Sequence, residues 1–123
     1  MSDIVRRSIA VYDGQLVDPF TVTHLDGVFR IETIAHALSM LCRYGGHVSS
    51  FYSVAEHCLL VERIAEERTM FVYEGESRNQ LRREALVHDA AEAYLIDLPA
   101  PFKRMQEMAH YRAAEERLAY ELR

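Results

Sequence analysis

The chain has no tryptophan, two cysteines, three prolines and five glycines in 123 residues. Two cysteines are too few for a disulfide framework, so Cys42 and Cys58 read as buried thiols suited to a reducing compartment. The small share of proline and glycine excludes collagen-like and low-complexity classes. No apolar run approaches the roughly 20 residues that span a bilayer, and no signal peptide is read at the start. The expectation is a soluble, cytoplasmic protein with no membrane partner. Basic residues are also in deficit: 14 Lys and Arg against 19 Asp and Glu leave a net charge of −5. That balance argues against a polymeric nucleic-acid partner, although a local basic pocket stays open. What is present is ordinary globular composition, 50% hydrophobic and 27% charged. It suffices for one domain over residues 1–123, with no internal repeat.

Residues 1–31 differ from the rest. Ile9-Ala10-Val11-Tyr12 and Gln15-Leu16-Val17 flank Asp13-Gly14, a dipeptide suited to a tight turn, which predicts a β-hairpin. Asp18-Pro19 breaks the second run. A short extended lead-in follows near Gly27–Ile31, and His24 reads as a surface histidine. From Glu32 the period turns helical, with Ile34, Ala37, Leu38, Leu41 and Cys42 in one stripe that Gly45-Gly46 ends. Arg43 then falls in the last turn, where the helix dipole favours a cation, and His36 lies off the stripe.

Ser53-Val54-Ala55-Glu56 has the form of a capping box, which explains Ser53 better than a nucleophilic role does. The helix it opens carries His57, Leu60, Val61 and Ile64 at i, i+3, i+4 and i+7, so His57 is expected on the inner face. Residues 66–77 read as a helix end and an exposed loop. Ser77 is expected to cap a central helix over about 78–95, stopped by Leu98-Pro99-Ala100-Pro101, with Pro101 in the first turn of the next helix. A last helix, about 108–122, places Met108, Tyr111, Ala114, Leu118 and Leu122 against a charged face. It reads as a packing helix without a catalytic signature.

The central helix carries the chemistry. Leu81, Ala85, Leu86, Val87, Ala90, Ala91 and Ala93 read as its apolar interior, yet His88, Asp89 and Glu92 are set among them. Buried charges must be paired or metal-bound, and a divalent cation is the simplest partner. On a helix His88 and Asp89 straddle one face, with Glu92 one turn on.

Three segments together resemble the HD-domain phosphohydrolases, in particular the small branch similar to 5′-deoxynucleotidases and phage-type nucleotide hydrolases. They are Ile34-Ala35-His36-Ala37-Leu38-Ser39 with Cys42-Arg43-Tyr44-Gly45-Gly46-His47, then Phe51-Tyr52-Ser53-Val54-Ala55-Glu56-His57, then His88-Asp89-Ala90-Ala91-Glu92-Ala93-Tyr94 with Asp97-Leu98-Pro99-Ala100-Pro101-Phe102-Lys103. The resemblance spans residues 30–117 and implies a mainly α, HD-domain-like helical bundle (32–123) behind the small N-terminal hairpin (1–31). It implies that His57, His88 and Asp89 hold a divalent ion, whether Mn, Co, Zn, Fe or Mg. Ligands of mixed imidazole and carboxylate type, with bonds near 2.0–2.2 Å, should then converge within about 5 Å.

By the same resemblance Arg43 binds phosphate, Glu92 assists the attacking water, and Asp97 and Lys103 contact the nucleotide. A solvated lysine at a helix start explains Lys103 as well. Relatives take a further aspartate ligand from a later helix that has no counterpart before Arg123. The implied activity is hydrolysis of a (deoxy)nucleotide phosphate, with metal held weakly and turnover low. The alternatives are an inactive HD-like domain that binds a nucleotide or a protein, and a hydrolase of another phosphoester. A homo-oligomer is expected by analogy with small relatives.

Overall fold

The computed structural model describes residues 6–123. It is mainly helical, with a two-stranded antiparallel hairpin near the N-terminus. The hairpin pairs β1 (Ile9–Ala10) with β2 (Leu16–Val17) in the register Ile9↔Val17 and Ala10↔Leu16. Gly14 makes the turn at φ 89°, and the Val11 amide donates to the Gln15 carbonyl at 2.9 Å. The Asp13-Gly14 prediction therefore places the hairpin correctly.

The helices are α1 (Ile31–Met40), α2 (Val54–Thr69), α3 (Gly75–Val87), α4 (Glu92–Leu95), α5 (Ala100–Lys103) and α6 (Ala109–Glu121). Helix α1 packs on α2 and α4, α2 runs beside α3, and α6 closes on α4 and α5. Val17, Leu38, Val54, Tyr94 and Leu118 belong to one buried core. The lead-in is fastened to α6: Arg117 donates to the carbonyls of Pro19 and Val22, and Glu121 binds His24. His24 is thus an anchored side chain at the surface, and His36 stacks on Tyr12 at 3.6 Å. No helix among the described residues is long and apolar enough to cross a membrane.

Several boundaries differ from expectation. Helix α1 ends at Met40, before Gly45-Gly46, because Leu41 turns extended and the chain pairs with a segment far along it. The Arg43 amide donates to the Tyr52 carbonyl at 2.8 Å, and the Val54 amide to the Leu41 carbonyl at 2.9 Å. Arg43 therefore opens a separate 3-10 turn, Arg43–Gly46, and does not cap α1.

Helix α2 starts at the predicted cap: the Ser53 hydroxyl accepts from the Glu56 amide at 3.0 Å and donates to the Glu56 carboxylate at 3.3 Å. Its buried edge is Val54 and Cys58, however, while Leu60 and Ile64 are 46% and 39% exposed. Beside α3 it carries the ion pairs Arg82–Glu62 (2.7 Å) and Arg78–Glu66 (3.4 Å).

The central helix is also interrupted. It begins at Gly75, where a φ of 57° turns the chain in, so Ser77 lies inside it and Glu74 takes the cap position. It ends at Val87 and does not run to 95. From Val87 to Ala91 the bonds tighten to the i−3 spacing, with Ala90 N to Val87 O and Glu92 N to Asp89 O both at 3.0 Å. Ala90 and Ala91 are buried in that tight turn, and their small side chains let the backbone approach the core. Leu86, expected inside, is 38% exposed.

Candidate metal centre

The turn after α3 places His88 and Asp89 at the rim of the core, and only Glu92 of the three is fully buried. In a 3-10 turn, side chains at i and i+3 eclipse, so Asp89 and Glu92 line up toward one side. His57 reaches the same point from α2. His57, His88 and Asp89 each offer a ligand atom, all within 4.8 Å of one another. His57 Nε2 lies 3.4 Å from Asp89 Oδ2, and His88 Nε2 lies 3.0 Å from that oxygen. Ligands about 2.1 Å from a common ion sit roughly 3.0–3.4 Å apart at octahedral to tetrahedral angles, so the two Asp89 separations fit a divalent ion, while the imidazoles, up to 4.8 Å apart, would have to close in on it.

Tautomer chemistry gives a second test. His88 Nδ1 lies 2.7 Å from the Ala85 carbonyl, an acceptor only, so that nitrogen carries the hydrogen. In the neutral ring Nε2 is then a lone pair, and it faces a carboxylate oxygen. Two acceptors at 3.0 Å repel unless a second proton on the ring or a cation lies between them. A carbonyl on the far ring nitrogen is also the usual support of a metal-bound histidine. Burial first, and then the Arg43 charge, pull the His57 pKa down, which favours the neutral imidazole that ligation requires. Cys58 is next in sequence to His57; burial, and then the nearby Asp89 charge, push its thiol up to about 11. Cys42 and Cys58 are both free thiols.

The cluster opens into a cleft of about 610 Å³ whose walls include Arg43, Tyr44, Glu92, Asp97 and Lys103. The Arg43 guanidinium lies over the Tyr44 ring at 4.7 Å and near the Tyr52 ring at 5.8 Å. Tyr44 adopts φ 59°, a left-handed conformation in which side chains are disfavoured. Neither tyrosine was given a role from the sequence, because it is the pairing of Cys42 with Ser53, eleven residues on, that brings them to Arg43 together.

Glu92 is 6% exposed, and one of its carboxyl oxygens is buried without a partner. Burial, reinforced by the charges of Asp89 and Asp97, raises its pKa to about 8. It therefore keeps its proton at neutral pH. On the opposite wall Lys103 lies 3.0 Å from Glu115. That pairing replaces the solvated lysine that was the alternative reading. Arg112 holds the Lys103 and Met105 carbonyls at 2.6 and 2.7 Å. Helix α6, read from sequence as packing alone, thus braces the segment that lines this side of the cleft.

The structure brings every predicted site residue, His57, His88, Asp89, Arg43, Glu92, Asp97 and Lys103, to one cleft. Among the described residues no further His, Cys, Asp or Glu joins the three-residue ligand cluster.

No protein-family model matches the chain. It is 41% identical over 88 residues to a protein of Escherichia coli (strain K12) described as "Uncharacterized protein YfdR", a match covering 72% of this chain and 42% of the relative. It is 37% identical over 92 residues to "Uncharacterized protein RCAP_rcc00048" of Rhodobacter capsulatus, covering 73% of this chain and 43% of the relative. The chain thus spans less than half the length of these relatives.

Proposed function

We propose that this chain is a metal-dependent phosphohydrolase of (deoxy)nucleotides, of the HD-domain type that its motifs resemble. The observation that carries the reading is the convergence of two imidazoles and a carboxylate within 4.8 Å at the mouth of a cleft that also holds Arg43 and Glu92. His57, His88 and Asp89 would hold the ion. The chemistry a divalent ion supplies when bound is polarisation of a phosphoryl oxygen and acidification of water.

The chain's own residues do the rest. Arg43, braced by Tyr44, offers a planar fork of donors to phosphate and offsets the charge that builds on its oxygens. Glu92 holds a proton at neutral pH, orients the attacking water by hydrogen bonding and gives its proton to the leaving oxygen. Asp97 and Lys103, across the cleft, receive the nucleoside end. The cleft's acidic residues against two cations suit a small phosphate ester rather than a polyanion.

A second reading is favoured by the three-ligand cluster: a domain that binds nucleotide without turning it over, its metal being weakly held. The exposed Leu59, Leu60, Ile64 and Leu86 support self-association, which molar mass in solution measures. Metal analysis of the purified protein, with hydrolysis of deoxynucleoside mono- and triphosphates in Mn²⁺, Co²⁺ and Zn²⁺, separates the two readings. Binding of metal with phosphate release supports hydrolysis. Nucleotide binding without release supports the second reading, and a protein that binds neither refutes both.

A further inference from the structure

The cleft wall opposite the ligand cluster contains a backbone that should not hold its shape unaided. Ile96 adopts φ 62° and ψ 170°, a region populated almost only by glycine, although it is β-branched and 57% exposed. No packing of its own side chain accounts for that conformation. Two hydrogen bonds do. The Ile96 amide donates to the Glu92 carbonyl at 2.8 Å, and the Ile96 carbonyl accepts from the Tyr111 hydroxyl, also at 2.8 Å. The hydroxyl therefore fastens the backbone at the residue immediately before Asp97.

We propose that Tyr111 is a positioning residue, whose hydroxyl holds the strained backbone at Ile96 so that Asp97 stays in the cleft facing the substrate. The inference rests on the reading of the cleft as a nucleotide site, but its mechanical half does not. Burial keeps the phenol well above the ordinary tyrosine range, so the hydroxyl remains a donor across the working pH. The other fasteners of this wall act further along, since Arg112 and Glu115 hold residues 103 and 105. Among the described residues no other hydrogen bond runs from α6 to the backbone at 96.

The test is Tyr111→Phe, which keeps the ring and removes only the hydroxyl. Exchange of the Ile96 amide, which is bonded to the Glu92 carbonyl, needs no substrate and should quicken about fivefold, the effect of losing one exposed hydrogen bond that holds the same residue. KM for a deoxynucleoside monophosphate should rise about fivefold or more, with kcat within about twofold and metal content unchanged. Adding Ile96→Gly should restore slow exchange and KM, because glycine takes this conformation without strain. A packing role for Tyr111 would not be rescued by a change at 96. Unaltered exchange in Tyr111→Phe, or a loss that Ile96→Gly leaves in place, overturns the proposal. If the unsubstituted protein shows no turnover, the phosphohydrolase reading fails, and the exchange measurement still decides the role of Tyr111.

Discussion

The two walls of the cleft are made in opposite ways. On one side, His57, His88 and Asp89 stand on α2 and the turn after α3, backed by buried Val54, Cys58, Ala90 and Ala91. Their geometry follows from packed secondary structure, and the side chains need little further support. On the other side, Asp97 stands on irregular backbone between α4 and α5, Lys103 ends the single-turn α5, and side chains of α6 hold this stretch in place. A packed wall suits groups that must meet a fixed coordination geometry. A stapled wall suits contacts that select a substrate, because it changes shape at small energetic cost.

The comparison breaks most sharply at the packed wall. His88→Ala should remove metal and reduce phosphate release by more than about 100-fold, beyond what losing a ligand's supporting hydrogen bond costs. Far-UV circular dichroism should stay unchanged, since His88 is a rim residue outside the core. Metal analysis and rate measured together check this, and full metal content in the variant would remove His88 from the centre.

The next effect lies between the walls, at Glu92. In chelator, its carboxyl ionises near 8 in the folded chain and near 4.5 in the unfolded one. Below pH 4.5 both states are protonated. Between pH 4.5 and 8 the unfolded state sheds a proton that the folded state retains, so stability falls as pH rises through this window. The loss is on the order of a few kcal/mol and levels off above the folded value. Glu92→Gln should abolish this slope, melting several degrees above the parent at pH 8 and close to it at pH 4.5. Parallel melting curves for the two proteins across that range would show that Glu92 is solvated rather than buried.

The smallest of the three separates a braced side chain from a ligand. Arg43→Lys should raise the nucleotide Kd by about tenfold, through loss of the planar fork and of its stacking on Tyr44. Metal content should not move. A titration of deoxynucleoside monophosphate against metal-loaded protein checks it, and metal loss matching that of His88→Ala would make Arg43 structural.

What the sequence by itself determined is the part of the molecule governed by neighbours within four residues. Asp13-Gly14 sets the hairpin turn, Ser53 and Glu56 set the start of α2, and Pro99 and Pro101 set the entry to α5. Each is a local hydrogen-bonding or dihedral preference, and the adjacency of His88 and Asp89 is legible for the same reason. Tertiary structure decided the rest. Pairing of residues 41–43 with 52–54 ended α1 early and swung Arg43 to the cleft, against the local helical pattern. Packing of α2 on the core through Val54 and Cys58 left Leu60 and Ile64 exposed, against their own periodicity. The raised pKa of Glu92 comes from its burial and the charges around it, and the φ of Ile96 is held by a hydroxyl fifteen positions away. Contacts of that range depend on how elements dock, and docking energies are summed over the whole core rather than written in any one segment.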